Sequence, residues 1–211
     1  MTKTLIITAH VEQLSSVSLD FTQFNQVICA DGGLLIAQQL GLHPDFLIGD
    51  YDSIDMPNLD GIIKLPMEKD MTDTEAAIDL AVSKGHTHLT ILGGLGGRFD
   101  HTMGNIGMLA KHTGKLDHIA FVDGQNYVFM ATPGKVNVPA SNYPYLGIIS
   151  YGGTAENVTL SGVKYPLTNH FLTNETSLGV SNEITSDEAM ISFTAGKLLI
   201  ILSKDIDKKE K

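Results

Sequence analysis

The chain has 211 residues, 43% of them hydrophobic and 18% charged, with a formal net charge of -10. That length allows one large domain or two modest ones, and that composition is enough for a sizeable globular core. The acidic balance argues against a nucleic-acid or anionic-membrane binder, because no basic stripe exists to meet phosphates; a divalent cation is then the natural means of attracting any phosphorylated ligand.

The opening MTKTLIITAH is too short and too quickly polar for a signal peptide, and no apolar run approaches the ~20 residues that span a bilayer. The single cysteine, Cys29, cannot form an internal disulfide and reads as a small buried thiol. A cytoplasmic location is expected. TLIITA (4–9), QVICAD (26–31), FLIGD (46–50), GIIKL (61–65), HLTIL (88–92) and HIAFV (118–122) read as buried strands. GLLIAQQL (33–40), TDTEAAIDLAVSKG (72–85) and HTMGNIGMLAKHTG (101–114) read as helices, the third with an apolar face of Met103, Ile106, Leu109 and Ala110. Strand–helix alternation predicts an α/β fold, a largely parallel sheet with helices on its faces.

Beyond about residue 124 the texture changes. YVFMA, KVNV, LGIIS, ENVTLSG, AMISFTA and KLLIILS are short and β-like, separated by turn signals. They predict a C-terminal all-β sandwich or barrel-like domain. The expected domains are 1–125 and 130–211, and DIDKKEK reads as a solvated tail.

Four polar clusters fall at the C-terminal ends of predicted strands, the edge where open α/β sheets bind ligands. They are ADGG (30–33), IGDYDS (48–53), KDMTDTE (69–75) and LGGLGGRFDHTMGN (92–105). Asp50 and Asp52 are two residues apart and would point the same way in an extended chain, so they could share a divalent ion; a polar turn is the competing reading. Two such charges roughly 5 Å apart repel by about 3 kcal/mol at an effective dielectric of about 20, which a cation would relieve. Asp55 reads as turn chemistry. Thr72 or Asp73 can cap the second helix, with Glu75 completing a capping box, which leaves Asp70 and the non-capping residue to face the cleft.

GGLGGRFDH follows a strand and opens a helix, the place for a phosphate-holding loop, yet it lacks the Walker A spacing and has Phe99 where a dinucleotide fingerprint needs its last glycine. Its glycines allow close backbone approach, Arg98 offers a bidentate guanidinium, and Asp100 adds a carboxylate, with His101 beside it. The His86-x-His88 pair lacks a nearby third ligand for a metal role. An acidic cluster, a Gly/Arg loop and no covalent nucleophile suggest metal-assisted transfer from a nucleotide.

ADGG, PDFLIGDYDS, KDMTDTEAAIDLA and GGLGGRFDH, in this order and spacing, resemble the thiamine pyrophosphokinase family, and SGVKYPLTNHFL with SLGVSNE resembles that family's thiamine-site region. The resemblance implies transfer of the diphosphate of ATP to the hydroxyethyl group of thiamine, giving thiamine diphosphate and AMP. It also implies a Mg²⁺ requirement and a homodimer with active sites between subunits. By position it implies Asp31, Asp50, Asp52, Asp73 and Asp100 around the metal, and Asp31, Gly32, Asp70, Thr72, Gly96, Gly97, Arg98 and Asp100 around ATP. Asp52, Asp73 and Arg98 would be catalytic, and Tyr165, Ser181 and Asn182 would contact thiamine. The rival readings are an Asp-nucleophile phosphatase, whose D-x-D-x-[TV] pattern Ile54 breaks, another metal-dependent nucleotide-using transferase, and a non-catalytic thiamine or nucleotide sensor.

Overall fold

The computed structural model describes residues 2–49, 62–64 and 70–206, the strand at 62–64 in its backbone alone. Asp50, Asp52 and Asp55 lie outside the described residues. The chain divides into two compact units, Met1–Gly124 and Gln125–Lys211.

In the first unit the apolar runs become strands: β1 (Lys3–Ile7), β2 (Gln26–Ala30), β3 (Phe46–Gly49), β4 (Ile62–Lys64), β5 (His88–Leu92) and β6 (His118–Val122). They pair in parallel in the order β4-β3-β2-β1-β5-β6. Three helices connect them: α1 (Gly33–Gln39), α2 (Asp73–Ser83) and α3 (Phe99–His112). Parallel crossovers are right-handed. The β2–α1–β3 step moves one way along the sheet, while β4–α2–β5 and β5–α3–β6 move the other, so α1 covers one face and α2 and α3 the opposite one.

The pleat sorts side chains accordingly. Leu5 and Ile7 of β1 bury with Cys29, Leu34, Ala37, Leu47 and Leu92 in the core beneath α1. Each fully buried Leu or Ile contributes about 1.5–3 kcal/mol. The Cys29 thiol is among these, and burial pushes its pKa up to about 12, so it behaves as a small hydrophobe.

The expected elements form, with two local differences on α3. The helix begins at Phe99, two residues before its expected start. Its buried face is Asn105, Leu109 and His112, while Met103 is 46% exposed. The polar Asn105 faces inward because its amide donates to the Gly94 carbonyl at 2.7 Å, which an apolar-periodicity reading cannot see.

The second unit holds β7 (Asn126–Ala131), β8 (Gly134–Pro139), β9 (Tyr145–Ser150), β10 (Ala155–Ser161), β11 (Leu167–Leu172), β12 (Asn182–Glu183), β13 (Glu188–Phe193) and β14 (Leu198–Ser203). Two antiparallel arrays form, β12-β9-β14-β7 and β11-β10-β13-β8. Alternate residues of both, among them Leu146, Ile148, Ile200, Val158, Leu160 and Ile191, meet in one core, which makes the unit a β-sandwich. Among the described residues no helix is long and apolar enough to cross a membrane.

Candidate active site

Strand order reverses between β1 and β5, and ligands of open α/β sheets bind outside the strand ends at such a switch point. A cleft of about 490 Å³ lies there. It is lined by Thr8, Ala9 and His10 after β1, Ala30 at the end of β2 and Asp31 after it, Met71 to Thr74 around the start of α2, and Gly94, Gly96, Gly97, Arg98, His101 and Asn105.

Asp31 leaves β2 in the left-handed region, φ 50°, with its amide donating to the Ile48 carbonyl at 2.7 Å. Asp tolerates that conformation better than most residues. At α2, Thr72 is the cap: its hydroxyl accepts from the Glu75 amide at 3.1 Å. The Glu75 carboxylate turns instead to Lys111 Nζ on α3, 3.0 Å away. Asp73 is therefore the first helical residue, and it lines the cleft with Asp31 at the positive end of the α2 dipole.

The glycine loop has a backbone that other residues resist. Gly93 has φ 89°, and a Cβ there would stand 2.2 Å from the His10 carbonyl oxygen. Gly94, at φ 74°, donates its amide to that same carbonyl at 3.1 Å. At the loop's end the Arg98 guanidinium grips Asp100 through two bonds, Nη2 to Oδ2 at 2.6 Å and Nε to Oδ1 at 3.2 Å. The hydrogen bond from Arg98 holds the Asp100 carboxyl below the usual carboxylate range and pushes the guanidinium's own pKa up. Asp100 also accepts from the His101 amide at 2.9 Å.

The cleft thus brings together Asp31, Thr72, Asp73, Gly96, Gly97 and Arg98 of the expected set. Gly32, Asp70 and Asp100 are not on its lining: Gly32 is the α1 cap, Asp70 is exposed, and Asp100 is exposed and paired with Arg98. Asp50 and Asp52 are outside the described residues. Sequence reasoning missed Thr8, His10 and Asn105, although the rule that found four polar clusters at strand ends would have picked out Thr8–His10 as a fifth. The carboxylates of Asp31 and Asp73 and the hydroxyls of Thr72 and Thr74 are oxygen donors, a set that suits Mg²⁺ held jointly with substrate phosphates. Among the described residues no group of three or more His, Cys, Asp or Glu gathers to hold a metal by itself.

In the second unit Asn182, 4% exposed, clamps Tyr165. Its Oδ1 accepts from the Tyr165 amide at 3.0 Å and its Nδ2 donates to the Tyr165 carbonyl at 2.8 Å. Lys164, paired with Glu183 at 2.7 Å, lies 5.6 Å over the Tyr165 ring, which is 59% exposed. Ser181, exposed, takes a left-handed φ of 59° beside them. The Asn182 amide is thus tied to the backbone of Tyr165.

The family model for the thiamin pyrophosphokinase catalytic domain matches residues 20–120, and that for the thiamin pyrophosphokinase vitamin B1 binding domain matches residues 135–198. Thiamine pyrophosphokinase of Bacillus subtilis (strain 168) is 34% identical over 186 residues, covering 84% of this chain and 87% of that protein. The chain belongs to the thiamine pyrophosphokinase family. It is accordingly an enzyme of the transferase class, and its fold agrees with solved members of the family. The crystal structure of the Bacillus subtilis thiamine pyrophosphokinase aligns with a TM-score of 0.85 at 31% identity, covering 97% of this chain and 100% of that one. A thiamin pyrophosphokinase family protein from Enterococcus faecalis aligns with a TM-score of 0.87 at 29% identity, again over 97% and 100% of the two chains.

Proposed function

We propose that this protein transfers the terminal diphosphate of ATP to the hydroxyethyl group of thiamine, giving thiamine diphosphate and AMP. The observation that carries the reading is the switch-point cleft itself. It combines the Asp31 and Asp73 carboxylates, a glycine loop and the N-termini of α2 and α3, in a chain of the thiamine pyrophosphokinase family.

The α/β unit takes ATP. Amides of Gly96 and Gly97 and the start of α3 meet the phosphates, with Arg98 as a charge-assisted donor. Asp31 and Asp73 hold Mg²⁺ together with Asp50, Asp52 and Asp100, and Asp70 joins them near the phosphates. A bound Mg²⁺ supplies charge neutralisation of the polyphosphate. The β unit takes thiamine, with Tyr165 against its rings, Ser181 beside them and Asn182 setting the position of Tyr165. An acidic cleft suits a permanently cationic substrate.

The hydroxyl oxygen of thiamine attacks the β-phosphorus of ATP, the bond from that phosphorus to the oxygen bridging to the α-phosphorus breaks, and AMP leaves with the bond's electrons. The hydroxyl proton passes to a cleft carboxylate. Positioning and charge neutralisation supply most of the rate, as in other phosphoryl transfers. The working assembly is a homodimer in the cytoplasm. Exposed Tyr165, Phe171, Leu178 and Val180 on the β unit support an interface there. Incubation with ATP, Mg²⁺ and thiamine tests the reading: AMP and thiamine diphosphate are expected, and ADP, free phosphate alone or no turnover would contradict it.

A further inference from the structure

We propose that His10 is a phosphate-contacting residue of the cleft, oriented by Glu12; the assignment of the phosphate as that of ATP rests on the diphosphate-transfer reading above.

The end of β1 delivers the segment Thr8–Glu12 to the switch point, directly beside the loop that follows β5. This segment is bolted in place. The His10 carbonyl accepts from the Gly94 amide at 3.1 Å and from the Thr8 hydroxyl at 3.2 Å, and the Glu12 carbonyl accepts from the Gly124 amide at 2.8 Å. The side chains are paired as well, His10 Nε2 standing 2.9 Å from Glu12 Oε1.

The pair lies against the two glycines assigned to phosphate. A Cβ on Gly97 would meet His10 Cδ2 at 3.4 Å, and one on Gly96 would meet Glu12 Cγ at 2.7 Å. The loop and the dyad are thus shaped to each other. With Nε2 committed to the carboxylate, Nδ1 is the ring nitrogen left for a ligand, and in the protonated ring its N–H is a charge-assisted donor. A carboxylate that fixes an imidazole through one nitrogen defines what the other can do. His10 itself lines the cleft with a side chain 56% exposed. Arg98, the guanidinium at this loop, is paired with Asp100, so His10 adds a second side chain that can meet a highly anionic ligand in a chain of net charge -10.

The test compares wild type with His10→Ala, His10→Gln and Glu12→Gln by calorimetric titration with adenosine and with Mg²⁺-ATP, alongside steady-state kinetics. The His10 variants should bind ATP about tenfold more weakly and Glu12→Gln about threefold more weakly, as loss or misorientation of one charge-assisted hydrogen bond implies. Adenosine affinity should hold, and the KM for thiamine should be unchanged. His10→Gln, nearly equal in size, reports even if His10→Ala fails to fold. ATP affinity at the wild-type level in the His10 variants would overturn the proposal, as would equal weakening of ATP and adenosine. Binding needs no turnover, so a wild type that binds ATP yet makes no thiamine diphosphate would refute the transfer reading while His10 is still judged on the ATP–adenosine difference.

Discussion

Arg98 and Asp100 are each other's partner, joined by bonds of 2.6 and 3.2 Å at the end of the glycine loop. An arriving phosphate competes with Asp100 for the guanidinium, and an arriving cation competes with Arg98 for the carboxylate. If Arg98 meets phosphate and Asp100 the metal, as proposed above, a nucleotide carrying both would satisfy the two residues together. Arg98→Ala should lower kcat/KM for ATP about 10-fold to 100-fold, the range for losing a charged hydrogen-bonding group. Arg98→Lys should recover little, since a lysine lacks the planar fork. Kinetics with ATP varied check this, and a lysine variant at the wild-type level would contradict it.

Asp73 separates stability from chemistry. As the first residue of α2 it favours the helix dipole, worth about 0.3–1 kcal/mol, so Asp73→Asn should cost no more than that in denaturant unfolding. Its turnover, and that of Asp52→Asn, should fall at least about 100-fold if these carboxylates hold Mg²⁺. Chelation of divalent ions should abolish wild-type turnover, and added Mg²⁺ should restore it. Near-normal activity in both variants would move the metal site elsewhere.

Asn182→Ala removes the clamp on the Tyr165 backbone and leaves a part-buried amide and carbonyl without it, at about 1 kcal/mol of stability. Because Tyr165 then loses its position, the KM for thiamine should rise while the KM for ATP stays at the wild-type level. Equal changes in both would show that the β unit does not divide the substrates in this way.

Acid should begin to weaken the α/β unit near neutral pH, through its histidines. Burial chiefly depresses the pKa of His112 and of His118 below the ordinary 6.5, with Lys111 adding to the effect at His112 and Asp79 opposing it. The unfolded chain therefore binds protons first as pH falls, and stability declines from about pH 6.5 down to the folded-state values. Melting temperature should be flat above that range and fall through it, and a His112→Gln, His118→Gln double variant should show a shallower fall. The Asp100 carboxyl, held low by its hydrogen bond from Arg98, favours the folded state above the usual carboxylate range, and that contribution is lost as pH falls through and below it.

The first unit was legible because each buried strand is a compact apolar run and each helix has a stop or a cap. Two strands escaped notice for physical reasons. β11, LTNHFL, is mostly exposed and shows little alternation, and β12 is two residues long. The side chains around the cleft were harder. His10 and Glu12 reach the glycine loop, more than 80 residues away, only because β1 pairs with β5 with Ile7 opposite Leu92. Asn182 reads as a thiamine contact beside Ser181, and its bonds to the Tyr165 backbone, 17 residues earlier, are a match that spacing does not reveal. Thr72 and Glu75 have capping-box spacing, yet Lys111 on another helix claims the Glu75 carboxylate.

The most direct test follows the label in ATP carrying ³²P at both the β and γ positions, incubated with the protein, Mg²⁺ and thiamine. Transfer of the diphosphate as one unit predicts that both labels arrive in thiamine diphosphate, with one unlabelled AMP released per product. Labelled ADP, thiamine monophosphate as an intermediate, or label found only in free phosphate would contradict it.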